Sequence, residues 1–311
     1  MHPSIRYIVN PIAGQGAGKL IYPQIEHMMH EHSAVAEIIS TQYPGHAIEL
    51  SRKAATQNYE AVIAVGGDGT SNEVLNGLMQ AYAQGYKTTK MGIIGIGRGN
   101  DFAFGHGIPV GLTQGFEVIV QGKSRSADVG LIRGGDYPEG RYFGNGIGIG
   151  FDAVVGFEAL KLTHLHGFMN YIVAAMRTIF LFYNAPLVRI EYDDQVITQA
   201  SLMISIMNGR RMGGGFMMAP DAETDDGLLD FCIAGQMSRL TIMMMIPRFI
   251  KGTQAKSPLI KTGRANKIKV LALEGTLPTH ADGETICTAG NELEVEIIKQ
   301  PIKILTRNAW S

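Results

Sequence analysis

The sequence predicts an α/β domain built on a parallel sheet, followed by a mainly antiparallel β-sandwich domain. Over the first 130 residues short β-branched runs alternate with segments of helical period. Beyond them the texture changes to short alternating runs broken by turn signals. A chain of 311 residues has room for both at roughly 100–200 residues per domain. The expected division is 1–130 for the first domain and 131–299 for the second, with 300–311 returning to the first.

In the first domain the strands are read at Ile5–Val9, Ala36–Ser40, Ala61–Val65 and Met91–Ile96, with Asp128–Arg133 as a fifth. Between them Lys19–His32, His46–Gln57 and Ser71–Gln84 carry apolar residues near a 3.6-residue period. Such alternation argues for a parallel sheet covered on both faces, with ligands held beyond the carboxyl ends of its strands. The second domain shows runs at Leu187–Tyr192, Gln195–Gln199, Leu202–Met207, Leu229–Ile233, Lys267–Ala272 and Glu292–Ile298, with an Asp193-Asp194 turn. One helical insertion is expected around Gly156–Phe182, and the run Ile302–Thr306 is read as the returning segment. No internal repeat or low-complexity linker separates the domains, so the cleft between them is the expected active site.

The formal net charge of −1 provides no global attraction for nucleic acid or an anionic membrane. Charged residues make up 18% of the chain, below the ~25% usual for soluble domains. The 39 glycines imply many tight turns and close backbone approaches. Cys232 and Cys287 are the only cysteines, and a strand-like run begins at Ile5 where a targeting segment would stand, so a reduced cytoplasmic setting is expected. The longest apolar stretch, Phe168–Tyr183, is interrupted by Asn170 and Arg177 and falls short of the ~20 residues a membrane-spanning helix needs.

Two glycine loops suit phosphate. The first, Asn10-Pro11-Ile12-Ala13-Gly14-Gln15-Gly16-Ala17-Gly18-Lys19, follows a strand and opens a helix. It is not a Walker loop, because three residues rather than four separate Gly14 from Gly18 and Leu20 replaces the Ser or Thr. Backbone N–H groups at a helix start, with Lys19 near, favour an anion; a tight structural turn accounts for the loop equally well. The second loop, Gly66-Gly67-Asp68-Gly69-Thr70 before Ser71-Asn72-Glu73, follows an apolar strand. Three glycines let backbone approach phosphate, Thr70 offers a hydroxyl, and Asp68 can act on Mg²⁺ or its waters. A plain strand-to-helix turn rarely needs that combination.

Several residues have plainer readings. Met243-Met244-Met245 and Phe168–Tyr183 fit a lipid-access groove, but a buried helix face is the commoner explanation. His164 and His166 lack partners at metal-ligand spacing, Cys287 is read as a small strand residue, and Asp136, Asp193 and Asp194 as solvated turn residues.

Gly66-Gly67-Asp68-Gly69-Thr70 is shared by several nucleotide-dependent kinase families, and its company narrows the choice. Val9 to Lys19, Thr41 with Gly45-His46-Ala47, Gly97-Arg98-Gly99-Asn100-Asp101-Phe102-Ala103, Asp128-Val129-Gly130, Asn208-Gly209 through Gly213-Gly214-Gly215 and Ala219 to Asp230, and Asp282-Gly283-Glu284 follow in order. Together they resemble the diacylglycerol kinase catalytic-domain family, particularly bacterial soluble lipid kinases, nearly end to end. The resemblance implies an NAD kinase/diacylglycerol kinase-like first domain that binds ATP, and a lipid hydroxyl as acceptor. It implies that Thr41, Gly66, Gly67, Asp68, Gly69, Thr70, Ser71 and Asn72 hold the nucleotide, beside Asn10, Gly14 and Lys19 of the first loop. Arg98 stands where the family often has Thr, and a guanidinium there suits a bidentate grip on phosphate. Asp68, Asp101 and Asp128 would form a carboxylate–water–Mg²⁺ network, and Glu223, Asp226 and Leu228 a second, structural Mg²⁺ site. Asp282 or Glu284 would accept the substrate hydroxyl proton, with Asp68 next in line. The expected partner is a lipid at a membrane surface, met peripherally, with a homodimer as an open assembly state. NAD kinase shares the glycine loop, but the Asn208 to Asp230 signature and the Asp282-Gly283-Glu284 ending speak against it. A non-catalytic regulator on the same fold is the reading from another class; against it, every carboxylate the chemistry needs is present.

Overall fold

A computed structural model of the chain describes residues 4–31, 36–162, 167–181 and 183–307. Its first part runs β1 (Ile5–Val9), α1 (Ala17–Glu31), β2 (Ala36–Ser40), α2 (His46–Thr56), β3 (Ala61–Gly66), α3 (Asp68–Ala83), β4 (Lys90–Gly95), α4 (Asp101–Gly105) and α5 (Leu112–Gln121). Then come β5 (Ser124–Gly134), β6 (Tyr137–Phe143), β7 (Gly146–Gly150), α6 (Phe151–Lys161), α7 (Gly167–Leu181), β8 (Leu187–Tyr192) and β9 (Gln195–Met207). The last part holds β10 (Leu229–Gly235), α8 (Arg239–Lys251), β11 (Ile260–Ala265), β12 (Lys267–Ala272), β13 (Leu277–Ala281), β14 (Glu284–Gly290) and β15 (Glu292–Leu305). Two compact units result: Met1–Asp128 with Gln300–Ser311, and Val129–Lys299.

The first unit is a parallel sheet in the order β2-β1-β3-β4, and the end of β15 adds beside β4 through Ile304 and Met91. All six residues of β3 are buried, as expected of a strand covered on both faces. Tyr7, Val9, Ile63, Val65 and Ile94 meet Ile21 and Ile25 of α1 and Phe116 of α5 in one apolar cluster. Re-entry of the chain is fastened by the Thr306 hydroxyl, which donates to the His106 carbonyl at 2.7 Å.

The second unit is antiparallel and β-rich. One run of strands is β14-β13-β7-β9-β10-β11; a second passes from β9 through β8 and β12 to β15, with β5 and β6 beyond. β9 serves both: Gln195–Ala200 pairs with β8, while the residues from Ser201 onward pair with β10 and β7. The expected runs Gln195–Gln199 and Leu202–Met207 are therefore one strand, carried by the apolar residues that fill its far half. Ile147, Ile204, Phe231 and Ile286 of the first run pack with Val188, Ile190, Val270 and Val295 of the second to form the sandwich core. A separate cluster joins Met203, Met207 and Cys232 to Phe151 and Val155 of α6, Ala174 and Ile179 of α7, and Ile242 and Met245 of α8.

The single insertion expected around Gly156–Phe182 resolves into α6 and α7, whose described residues leave out 163–166 and Phe182, so His164 and His166 lie outside them. α8 was not delimited in the sequence reading, where its Met243-Met244-Met245 run stood only as a buried helix face or a groove. Its hydrophobic run is broken by Pro247, but its ends are marked: Ser238 caps it by accepting Thr241 N–H, and Gly252 closes it at φ +67°. Asp193 occupies a turn at φ +48°, and Cys287 is a buried residue of β14.

Gly77 shows how tightly α2 and α3 pack. A Cβ there would stand 2.0 Å from Ser51 Oγ and 2.2 Å from the Ile48 carbonyl oxygen. Alanine favours a helix over glycine by about 1 kcal/mol, whereas forcing an extra carbon into a packed contact costs about 1–3 kcal/mol. The backbone carbonyl cannot swing aside, so the second effect wins. Gly77→Ala should lower the melting temperature despite its better helix propensity; a gain would mean that the helices separate freely.

Candidate active site

The register of the first sheet sets its loops side by side. Val9 lies level with Ser40 and Val65, and Val65 with Ile94, so β2, β1, β3 and β4 all end at one edge. Asn10 ties two of the emerging loops together: its N–H donates to the Val65 carbonyl at 2.9 Å and its amide to Thr70 Oγ1 at 3.1 Å. Gly67 precedes α3 and faces Gly97 so closely that a Cβ on Gly97 would sit 2.4 Å from Gly67 Cα. Only two glycines permit that approach. Asn100, at φ +52°, holds the partner loop by accepting from Gly97 N–H at 2.8 Å and donating to its carbonyl at 2.9 Å.

Two carboxylates meet over this loop. Asp68 Oδ1 accepts the Phe102 N–H at 2.9 Å, which fixes the start of α4 against the start of α3. Asp68 Oδ2 and Asp101 Oδ2 stand 2.9 and 3.0 Å from the point where a Cβ of Gly99 would be. The space that glycine leaves open is thus lined by two hard oxygen donors. Mg²⁺ is commonly held by one or two carboxylates together with waters and substrate phosphates, so this pair fits it.

The other expected nucleotide residues are distributed as follows. Thr41 is half-buried at the end of β2, bonded through its N–H to the Val9 carbonyl at 2.9 Å. Gly69 and Arg98 are half-buried, while Gly14 and Lys19 are exposed. Thr70, Ser71 and Asn72 are buried, and Asn72 Oδ1 accepts from Asn76 at 3.1 Å. Asp128 is buried too, and its Oδ1 accepts the Gln300 N–H at 2.7 Å where the chain re-enters the first unit. Among the described residues no three His, Cys, Asp or Glu side chains are grouped to hold a metal ion. Asp68, Asp101 and Asp128 therefore do not form a direct three-carboxylate cage.

Glu73 was missed as a site residue. Its carboxylate accepts Gly45 N–H at 2.8 Å and Ala47 N–H at 3.1 Å, capping α2 where the helix dipole favours negative charge. That anchors the Thr41–His46 loop, which is fastened again by Gln42 N–H donating to His46 Nδ1 at 3.1 Å. The signal was present in the sequence, three residues beyond Thr70.

In the second unit the Asp282-Gly283-Glu284 carboxylates have separate environments. Asp282 is buried, and its two oxygens accept the N–H groups of Gly144, Asn145 and Gly146 at 2.7, 3.0 and 2.9 Å. With both oxygens occupied by three backbone donors, this carboxylate is committed to holding the turn. Glu284 is half-exposed and lies 3.8 Å from Arg141 Nη2, whose Nη1 donates to the Tyr137 hydroxyl at 3.2 Å. Arg141 and the Gly144-Asn145-Gly146 turn were not singled out from sequence. The same turn is clamped by Asn208, whose amide donates to the Gly144 carbonyl at 2.8 Å.

The Ala219–Asp230 segment is acidic. Asp226 Oδ1 accepts the Leu228 N–H at 3.0 Å and its Oδ2 pairs with Arg264, while Glu223 is exposed. As arranged, both Asp226 oxygens are engaged by these partners. Asp230 is the perturbed group: burial, followed by the negative charges of Asp221 and Glu223, pushes its carboxyl from 3.8 up to about 6. A carboxyl raised in the fold favours the proton-bound state, so its contribution to stability is present at acid pH and lost as pH rises through about 6. The effect is on the order of 1–3 kcal/mol. Asp230→Asn should therefore raise the melting temperature by several degrees at pH above 7 in chelator, with no gain near pH 4. Equal shifts at both pH values would rule out this titration.

Both units of the chain resemble known proteins. Residues 4–132 match the diacylglycerol kinase catalytic domain, and residues 145–306 the YegS C-terminal NAD kinase beta sandwich-like domain. A diacylglycerol kinase from Staphylococcus carnosus is 29% identical over 309 residues, covering 98% of this chain and 96% of its own. One from Mycobacterium tuberculosis is 27% identical over 288 residues, covering 92% and 90%. In fold the chain is similar to a diacylglycerol kinase structure from Bacillus anthracis, with TM-score 0.72, 22% identity and coverage of 98% and 97%. An NAD kinase from Archaeoglobus fulgidus in complex with ATP is more distant, with TM-score 0.52, 14% identity and coverage of 98% and 94%. With the two models matched in order, the chain carries a diacylglycerol kinase catalytic domain and belongs to the family of the YegS C-terminal NAD kinase beta sandwich-like domain, which takes up residues 145–306.

Proposed function

We propose that the chain is a lipid kinase that transfers the γ-phosphate of ATP, with Mg²⁺, to a lipid hydroxyl, converting diacylglycerol to phosphatidic acid. The observation that carries the proposal is the convergence of Asp68 and Asp101 on the gap at Gly99, beside the facing glycines of two loops at the carboxyl edge of a parallel sheet. Phosphoryl transfer asks a protein for in-line positioning and charge neutralisation rather than covalent chemistry, and these are the parts for it.

Backbone N–H groups at Gly67 and the start of α3 receive phosphate oxygens, favoured by the positive end of a 16-residue helix. Asp68 and Asp101 would hold Mg²⁺, which when bound spreads the charge of the transferring phosphoryl group. Glu284 accepts the proton of the acceptor hydroxyl as its oxygen forms a bond to phosphorus and the bond to ADP breaks. Asp282 is assigned a supporting role, because its lone pairs already bind three amides. Lys19, in the first turn of α1, and Arg98, in the loop between β4 and α4, are assigned to phosphate.

General base catalysis is typically worth 10²–10⁴-fold. Glu284→Gln should lose kcat by about that factor with the melting temperature and ATP affinity kept. Asp282→Asn should lose stability as well, because an amide cannot serve the same three donors. A stable Asp282→Asn variant with the greater loss of kcat would transfer the base role to Asp282.

The reaction itself is tested with radiolabelled ATP against diacylglycerol, other lipid alcohols and NAD in parallel. Label in phosphatidic acid is expected, and Asp68→Asn should abolish it while keeping Phe102 N–H accepted by the amide oxygen. Label in NAD with every lipid inert would replace the lipid acceptor by a dinucleotide one.

A further inference from the structure

We propose that Arg141 is a positioning residue of the reaction, whose buried guanidinium aims the Glu284 carboxylate at the acceptor hydroxyl. The inference rests on the assignment of Glu284 as the base, and adds the group that orients it.

A cation in this place calls for a reason. Arg141 and Phe143 lie two residues apart on β6 and share its inward face, where Phe143 belongs to the sandwich core. Among the described residues of the second unit, Arg141 is the only arginine or lysine that is buried. A guanidinium taken out of water has to be met by acceptors or by opposite charge. Its Nη1 donates to the Tyr137 hydroxyl at 3.2 Å, and its central carbon lies 5.2 Å from the Tyr137 ring centre. Both contacts stay within β6. The third leaves it: Nη2 stands 3.8 Å from Glu284 Oε2 on β14.

The hairpin of β5 and β6 carries the cation to that strand. Arg141 stands level with Ile132 of β5, and at the turn between the strands the Asp136 N–H donates to the Ile286 carbonyl at 3.0 Å. Ile286 lies two residues beyond Glu284 on β14. The hairpin is thus fastened to the strand that bears the base.

Exposure separates the two roles. The Arg141 side chain is 8% exposed and that of Glu284 36%. Only the carboxylate is open enough to meet a substrate hydroxyl, so Arg141 acts through it. A distance of 3.8 Å is too long for a direct hydrogen bond, yet charges so close attract. The contact therefore turns the carboxylate without occupying a lone pair, whereas the oxygens of Asp282 are taken by three amides. The Asp282 network sets where the Glu284 backbone stands; Arg141 sets where its carboxylate points. A base has to lie within hydrogen-bond reach of the proton it takes, so that direction governs the rate.

The test is a double-mutant cycle on the full chain, read as kcat with radiolabelled ATP and diacylglycerol in mixed micelles. Arg141→Met should lower kcat by about 10–100-fold, the scale set by moving a group about 1 Å, with the KM for ATP unchanged. Arg141→Lys should lose less, because it keeps the charge but not the planar fork. In a Glu284→Gln background Arg141→Met should lower kcat no further, since the group it aims is gone. Tyr137→Phe keeps the ring and removes the hydroxyl; it should repeat the pattern with a smaller loss, and it serves if Arg141→Met does not fold. Without nucleotide, the ¹⁵N resonances of the Arg141 guanidinium should move on Glu284→Gln. The same loss in both backgrounds would make Arg141 merely structural and overturn the proposal. Wild-type kcat in Arg141→Met, or resonances that stay in place, would do so too. Full kcat in Glu284→Gln is a different failure: it would sink the assignment of the base, and the role of Arg141 with it.

Discussion

Buried backbone N–H groups must find acceptors, and in the second unit three of them find one carboxylate. Gly144, Asn145 and Gly146 lie in a turn where no neighbouring strand takes their N–H groups, and Asp282 takes all three. Around this centre the remaining polar groups are satisfied in turn: Asn208 donates to the Gly144 carbonyl, and Asn145 donates to the Arg211 carbonyl at 3.0 Å. The β6–β7 turn, the end of β13 and the loop after β9 are thereby fixed to one another. Glu284 opens β14 two residues past Asp282, so the place of its backbone is inherited from this network.

The first unit reaches the same rigidity by a different device. Its loops are brought together first by the absence of side chains, as backbone packs on backbone at Gly67 and Gly97. Polar side chains then act as staples: Asn10 to Thr70, Asn100 to Gly97, Glu73 to the start of α2. Loops anchored in this way arrive at a ligand already ordered, which avoids the entropy cost of fixing them on binding.

How far the sequence revealed this follows from the range of the forces involved. Strands and helices of the first unit were legible because their burial repeats locally; β3 and α2 were found almost to the residue. The Gly66–Thr70 loop stood out because glycine and aspartate in that order have few other uses. α8 was hidden by its outward-facing apolar residues, which blur the 3.6-residue period that an inward face alone would show. Asp282 and Glu284 were indistinguishable two residues apart, since only pairing with Gly144–Gly146, distant in sequence, separates their chemistry. Ser71 and Asn72 follow the loop in sequence but lie on the packed side of α3, a matter of helix phase. Glu73 and Arg141 act through partners that no local pattern announces.

One consequence concerns synthesis of the chain. The sheet of the first unit is completed when Ile304 pairs beside Met91, across a separation of roughly 200 residues, where closing a loop carries a large entropy cost. On the ribosome, β4 thus leaves a strand edge uncovered while the whole second unit is being made. An uncovered edge invites pairing with another nascent chain. Swift folding of Val129–Lys299 would shorten that interval by bringing Gln300 back to Asp128, where a 2.7 Å hydrogen bond receives it. The second unit is in this sense the agent that delivers the last strand of the first.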